Sequence, residues 1–111
     1  MPGNALAAAG PAALELYRSL LTQVSTIGPF QQEIKKTSIH LVRKTAFAGV
    51  HPRKAHLIVT VKSSEARQSA RITRAEQVSR NRWHLDIKLT EAAGIDQELL
   101  GWLRDAYELC G

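Results

Sequence analysis

Strict alternation of apolar and polar residues in "WHLDIKL", residues 83–89, is the feature that most constrains the fold. Side chains of a β-strand point alternately to the two faces of a sheet, so this segment separates its residues by polarity. The apolar face holds Trp83, Leu85, Ile87 and Leu89, and the polar face holds His84, Asp86 and Lys88. One buried face and one wet face are typical of an antiparallel sheet.

Four other segments carry strand patterns. They are "QEIKKTSIHLVRK" at 32–44, "TAFAGV" at 45–50, "HLIVTVK" at 56–62 and the weaker "RITRAEQV" at 71–78. With 83–89 they predict a sheet of about five strands. The unpatterned polar segment 63–70, "SSEARQSA", predicts a mobile loop.

Two amphipathic helices flank the strands. From Pro11, apolar residues recur every three or four positions until Gly28-Pro29, which predicts a helix that ends there. A second helix is predicted after Asp96, whose side chain can cap the first turn, with Ile95 and Leu100 as a hydrophobic staple.

Both helices can bury their apolar faces on the apolar side of the one sheet. We therefore predict a two-layer α+β domain, with an antiparallel sheet covered on one face by the N-terminal and C-terminal helices. The length of 111 residues suits one domain. We place that domain at residues 11–111 and interpret the small-residue segment 1–10 as a disordered lead-in.

Positive charge is concentrated in the middle of the chain. The whole chain carries +5 at pH 7; residues 31–88 hold thirteen Lys or Arg and four acids, a net +9, and residues 89–111 carry −4. Such asymmetry favours an anionic partner. The apolar stretches at the amino terminus are too short to cross a bilayer, so we expect a cytoplasmic protein without membrane contact.

The charge pattern gives a first functional hypothesis, a non-enzymatic module that contacts an anionic partner such as nucleic acid. In "HPRK", residues 51–54, Pro52 suits the second position of a tight turn with Arg53 and Lys54 at its apex. No helix–turn–helix or zinc-finger spacing is present, so binding would have weak sequence preference. The alternative is a solvated, solubilising surface. The candidate anion-binding residues are Lys35, Lys36, Arg43, Lys44, Arg53, Lys54, Arg67, Arg71 and Arg74.

A second hypothesis places a small-ligand or enzymatic site on the wet face of the sheet, around His56, His84, Asp86 and Lys88. Asp86-x-Lys88 has the acid–x–Lys spacing of some metal-dependent nucleases, although the second acid such a site needs has no supporting motif. The histidines lack the close pairing of zinc ligands. We therefore assign no catalytic residue, metal or cofactor, and do not expect enzymatic activity.

Two further features of the sequence bear on self-association and on reactivity. The segment "IHLV", residues 39–42, is a candidate edge strand for a homodimer, since an unpaired edge can add a strand from another chain. The single cysteine, Cys110, lies on the apolar stripe of the second helix, and we interpret it as a small buried side chain rather than a nucleophile.

The order of segments resembles a known family. "KKTSIHLVRKTAFAGVHPRKAHLIVTVK", then "WHLDIKL", then "IDQELLGWLRDAY" is similar to a small bacterial family of unknown function, sometimes given the label of a transport-protein domain. The resemblance covers residues 13–108, and its most recognisable pieces are Phe47-Ala48, Pro52-Arg53-Lys54, Trp102-Leu103 and Ala106-Tyr107. It implies a soluble bacterial domain and carries no catalytic signature.

Overall fold

A computed structural model describes residues 4–111 and shows a two-layer α+β fold. Its helices are α1 (Pro11–Val24) and α2 (Gln97–Leu109), with short 3₁₀ turns at Ala5–Ala8 and Ala92–Gly94. Its strands are β1 (Gln31–Ile34), β2 (Ile39–Val42), β3 (Ala46–Pro52), β4 (Leu57–Ser63), β5 (Ile72–Ser79) and β6 (Arg82–Leu89). The predicted fold class is confirmed.

The two helices begin where the sequence predicts. Pro11 occupies the first turn of α1, where its missing N–H has no helical partner. The Asp96 carboxylate accepts a hydrogen bond from the N–H of Leu99 at 3.1 Å and so caps α2. Helix α1 ends at Val24, before the predicted Gly28-Pro29. There the hydroxyls of Ser25 and Thr26 donate to carbonyl oxygens of the last helical turn and compete with continuation of the helix.

All six strands form one antiparallel sheet in the order β1-β2-β3-β4-β6-β5. Alternate residues of the four inner strands are buried, and both helices contribute buried residues to the same core. The segment 83–89 has the predicted orientation, since Leu85, Ile87 and Leu89 are buried while Lys88 is exposed. Within residues 4–111 no helix packs on the opposite face of the sheet, and we call it the open face.

The predicted first strand, 32–44, is wrong as one continuous strand. It folds into a hairpin of β1 and β2, closed by a hydrogen bond from the Lys35 N–H to the Ser38 carbonyl at 2.8 Å. The hairpin raises the strand count from the predicted five to six. It also corrects the edge-strand prediction, because β2 ("IHLV") lies between β1 and β3 and the true edges are β1 and β5.

The turn after β3 also differs from the prediction. Pro52 is the buried last residue of β3 and pairs with Leu57, so it does not occupy the turn. The turn is closed by the Arg53 N–H donating to the His56 carbonyl at 2.8 Å. Its central residues are therefore 54 and 55, one position later than the predicted apex of Arg53 and Lys54. The strand can include Pro52 because a proline at the end of a strand does not need to donate a hydrogen bond to the ladder.

The segment interpreted as a lead-in crosses one end of the sheet. Residues 1–3 lie outside the described part of the chain, whereas Ala5 is buried in the core. The Ala5 N–H donates to the Lys35 carbonyl at 2.9 Å, and the Gly10 N–H donates to the Lys54 carbonyl at 3.0 Å. Residues 5–10 thus connect the β1–β2 turn to the β3–β4 turn.

A bulge between β2 and β3 shapes the centre of the sheet. Leu41 pairs with Ala48 and Val42 pairs with Ala46, so Phe47 is the extra residue. The bulge lets Phe47 enter the core, where its ring makes an edge-on contact with Tyr107 at 5.3 Å between centroids. The residues of β3 nearest to Phe47 are all small, namely Ala46, Ala48 and Gly49.

Candidate functional site

A row of directly opposed residues crosses the middle of the open face. His40 on β2 faces Gly49 on β3, Gly49 faces Thr60 on β4, and Thr60 faces Asp86 on β6. Directly opposed residues of an antiparallel pair point to the same face of the sheet. The row therefore places an imidazole and a hydroxyl on either side of a position that has no side chain, with a carboxylate next to the hydroxyl.

A concavity of about 350 Å³ lies over this row, and we call it the open-face pocket. Its floor is formed by Ala46, Ala48 and Gly49 of β3. Its polar lining comes from four strands and consists of His40, His51, Thr60, Lys62 and His84. The pocket is thus assembled by strand pairing, and no single segment of sequence contains it.

Gly49 creates the depth of the pocket. A Cβ placed there would lie 3.9 Å from the His51 Nε2 atom and 3.9 Å from the Thr60 Cβ atom, both ordinary contacts. A larger residue would therefore fit the fold but occupy the space between these side chains. Glycine weakens a strand interior, and one recognised reason for its presence is the close approach of a ligand.

The open-face pocket combines a neutral imidazole with a lysine and a nearby carboxylate. Burial, followed by the positive charge of Arg53, lowers the pKa of His51 below its ordinary value, so this imidazole is neutral at pH 7. Lys62 supplies a permanent positive charge. Asp86, next to Thr60 in the row, accepts a hydrogen bond from the Thr60 hydroxyl at 2.7 Å.

The predicted wet-face site is spread along two strands. His84 lies opposite Lys62, Asp86 lies opposite Thr60 and Lys88 lies opposite Ile58, at successive positions along β6. His56 precedes β4, so it is six residues from Lys62 along the chain, or about 20 Å at the rise of a strand. Of the four predicted residues, only His84 lines the open-face pocket.

Arg67 and Arg71, predicted as anion ligands, contact acids within α2 and at its N-cap. Arg67 lies 2.8 Å from the Asp105 carboxylate and 3.8 Å from that of Glu65. Arg71 lies 2.7 Å from Asp96 and 3.2 Å from Glu98, and also donates to the Gly94 carbonyl at 2.5 Å. These side chains fasten the loop to the helix layer, on the side of the sheet away from the open face.

Three other predicted cations also have partners in the fold. Lys35 lies 3.7 Å from Glu33, and Arg74 lies 3.0 Å from Glu76. Arg43 donates to the Tyr107 carbonyl at 3.0 Å and stacks over the Tyr107 ring at 4.2 Å. The nine predicted anion-binding residues are therefore not on one surface. They lie at the two ends of the sheet, at its β5 edge and against the helix layer.

The remaining four predicted cations form no ion pair within residues 4–111; they are Lys36, Lys44, Arg53 and Lys54. Lys36 and the Arg53–Lys54 pair lie in the turns that residues 5–10 connect, at one end of the sheet. We call these three the basic end. Lys44 lies in the β2–β3 turn at the opposite end.

A comparison with protein families identifies the domain. The family described as "Domain of unknown function (DUF5655)" matches residues 4–110. The chain belongs to this family. The predicted membership of a family of unknown function is thereby confirmed, and the match spans both helices and all six strands of the DUF5655 domain. Searches of curated proteins and of solved structures found no match.

The described part of the DUF5655 domain contains neither a cluster of metal-binding side chains nor a helix that could span a membrane. Within residues 4–111, no group of three or more His, Cys, Asp or Glu side chains is arranged to hold a metal ion. In the same described part of the chain, no helix has the length and apolar character needed to cross a membrane.

Sequence reasoning missed His40, Gly49, His51, Thr60 and Lys62 as one site. Alternation alone places His40, between buried Ile39 and Leu41, on the wet face. Which residue of β3 lies opposite it depends on the register and on the bulge at Phe47, and neither has a signature in the sequence. The glycine within an apolar strand was the available signal, since Gly49 interrupts "AFAGV".

Proposed function

We propose that this DUF5655 domain is a binding module for a small anionic ligand, held in the open-face pocket. The observation that carries the proposal is the composition of the pocket lining. Lys62 and the imidazoles of His40, His51 and His84 supply hydrogen-bond donors, and within residues 4–111 no carboxylate lines the pocket. A floor without side chains beyond Cβ leaves room for the ligand.

The neighbouring groups support an anion rather than a cation. Asp86, the acid at the end of the row, accepts a hydrogen bond from the Thr60 hydroxyl. Glu76, opposite His84, is paired with Arg74, and Glu33, opposite His40, is paired with Lys35. Glu76 and Glu33 are thus paired with cations, whereas Asp86 keeps its charge, and Lys62 has no ion pair in the described chain.

The test is a titration of the ¹⁵N-labelled protein with sodium acetate and with sodium phosphate at constant ionic strength, followed by amide chemical shifts. We expect saturable shifts at β3 and β4, and roughly tenfold weaker binding in Lys62→Gln. Lys88→Gln is the matched control, because Lys88 lies on the same face but outside the pocket. Equal losses in the two variants, or shifts that stay linear with every small anion tested, would overturn the proposal.

A second candidate is contact with a polyanion such as nucleic acid at the basic end. The observation that favours it is that Lys36, Arg53 and Lys54 are exposed and without an ion pair in the described chain, on turns held together by residues 5–10. Their side chains would contact phosphates, which position a nucleic acid without reading its sequence.

Binding to a short duplex DNA and to single-stranded RNA, measured by fluorescence anisotropy over a series of salt concentrations, tests this candidate. Three phosphate contacts on the duplex predict a slope of about −2.7 in log K against log salt. Arg53→Gln should reduce that slope, whereas Arg18→Gln on α1 should leave it unchanged. Absence of binding at low salt would exclude the polyanion.

A cytoplasmic, bacterial setting is part of the proposal. It is supported by the resemblance described above, and cell fractionation with an antibody against the chain tests it. Recovery in the membrane fraction would contradict it.

A further inference from the structure

The floor of the open-face pocket is flat and apolar. Because Phe47 bulges into the core, the pocket lies over the methyl group of Ala46 and the backbone at Ala48 and Gly49. None of these residues presents a polar side chain. A ligand resting on this floor would meet apolar groups across its broad side, which suits a planar apolar body.

Polar groups stand at the margins of that floor. The His51 ring lies close above Gly49, with its Nε2 atom 3.9 Å from the position of a glycine Cβ. His40 stands on one side of this position, on β2, and Thr60 stands on the other, on β4. Lys62 and His84 face each other at the next open-face position along β4 and β6. The donors therefore surround an apolar centre rather than converge on one point.

The net charge near the pocket limits the charge of the ligand. Lys62 is the permanent cation among the lining residues, and Asp86 lies beside Thr60 at the margin. Asp86 repels a dianion more strongly than a monoanion, and Lys62 can balance only one negative charge of the ligand. A monoanion can therefore pair with Lys62 and meet less repulsion from Asp86. Carboxylates are monoanions at about pH 8, while phosphate and its monoesters are largely dianionic at that pH.

We propose, resting on the proposed function of the open-face pocket, that its ligand is a small monocarboxylate with a planar apolar body. The carboxylate lies beside Lys62, and the apolar body lies on the Ala46–Gly49 floor between the imidazoles of His40 and His51. The volume of about 350 Å³ is at the lower end of the range for small-molecule sites, which fits a single-ring compound.

A panel of four probes tests this inference on the wild-type protein: benzoate, benzamide, acetate and phosphate. We expect benzoate to bind at least tenfold more tightly than acetate, which lacks the ring, and than benzamide, which lacks the charge. Chemical-shift titrations at about pH 8, where phosphate is mainly a dianion, and at constant ionic strength give the four dissociation constants.

The possible results separate the inference from the proposed function. Equal binding of acetate and benzoate would overturn the claim that the ligand has an apolar body. Tighter binding of phosphate than of benzoate would overturn the claim that the ligand is a monoanion. Equal binding of benzamide and benzoate would overturn the need for charge in both proposals. Failure of all four probes to bind would overturn the proposed function itself.

A variant then locates the apolar body. Gly49→Ala adds a methyl group to the floor without a close contact, so the fold should be retained. We expect it to weaken benzoate by about tenfold and acetate by much less. Equal losses for both probes would place the ring elsewhere and contradict the inference.

Discussion

The guanidinium of Arg71 lies 2.7 Å from the carboxylate of Asp96, the residue that caps α2. The cap bond from the Leu99 N–H and the bond from Arg71 together lower the pKa of Asp96. One side chain thus joins the segment after β4 to the start of α2. Arg71, predicted from the sequence as a ligand for an anionic partner, instead forms an ion pair within the fold.

Replacing Arg71 should destabilise the domain. Arg71→Gln removes ion pairs with Asp96 and Glu98 and a hydrogen bond to the Gly94 carbonyl. Both acids are half exposed, so we expect a loss of only about 1 kcal/mol in the free energy of unfolding. Urea denaturation measures it. Arg74→Gln is the matched control, because Arg74 pairs only with exposed Glu76; equal losses would contradict the assigned role.

Contact between Gly28 and Tyr107 predicts a second sensitive position. The Tyr107 hydroxyl donates to the Pro29 carbonyl at 2.7 Å, and a Cβ on Gly28 would lie 2.5 Å from that hydroxyl oxygen. Gly28→Ala should therefore displace the ring and destabilise the domain by about 1–3 kcal/mol.

Tyr107→Phe separates the two contributions at this position. It removes the hydroxyl, which costs about 1 kcal/mol for the lost hydrogen bond. It also removes the shortest contact with the new methyl group, although the ring carbons Cζ and Cε1 remain 2.9 Å and 3.1 Å from the Cβ position. When Gly28→Ala is combined with Tyr107→Phe, it should consequently cost less than it does alone. Thermal denaturation of the four proteins of this cycle tests the coupling, and strictly additive effects would show that the two residues do not interact.

Stability should fall as the pH is lowered from 7 to 5. Burial lowers the pKa of His51 from its ordinary value of 6.5, so the unfolded chain binds a proton more readily than the folded one. Stability from this group is full above the unfolded pKa and is lost as the pH falls toward the folded pKa. The pKa of His56 is shifted in the same direction, chiefly by burial and then by Lys88 and Arg53.

Urea midpoints at pH 7 and pH 5 measure this dependence. His51→Gln cannot titrate, so its midpoint should fall less between the two pH values than that of the wild type. The carboxyl of Asp96 does not interfere, because its lowered pKa places its titration below pH 3.8. An identical decrease in both proteins would contradict the role of His51.

Much of the fold was predictable because local pattern and burial agree. The alternation of 83–89 gave β6 its orientation, and Asp96 marked the start of α2. The hairpin of β1 and β2 was missed because the sequence of its turn, "KKTS", lacks the glycine, proline or asparagine that usually marks one. The position of the β3–β4 turn was predicted wrongly because Pro52 looks like a turn residue in the sequence. In the structure it is the last residue of β3.

The open-face pocket could be predicted only in part. His84 was placed on the wet face by alternation, and it does line the pocket. His40, Gly49 and Thr60 come together through the registers of β2, β3 and β4, which depend on a bulge and on turn lengths. The ion pairs of Arg67 with Asp105 and of Arg71 with Asp96 were not predictable either, because each joins residues 25 or more positions apart in the chain.

The most direct test of the pocket compares stability and binding in Gly49→Ala, with Gly101→Ala as control. Gly101 lies within α2 with nothing within 4 Å of its Cβ position, so both variants should be stabilised by about 0.5–1 kcal/mol as glycine is removed from an element interior. Titration with benzoate, monitored by amide chemical shifts, then distinguishes them. The account predicts at least tenfold weaker binding for Gly49→Ala and wild-type binding for Gly101→Ala. Wild-type binding in a folded Gly49→Ala protein would contradict the claim that the ligand lies over Gly49.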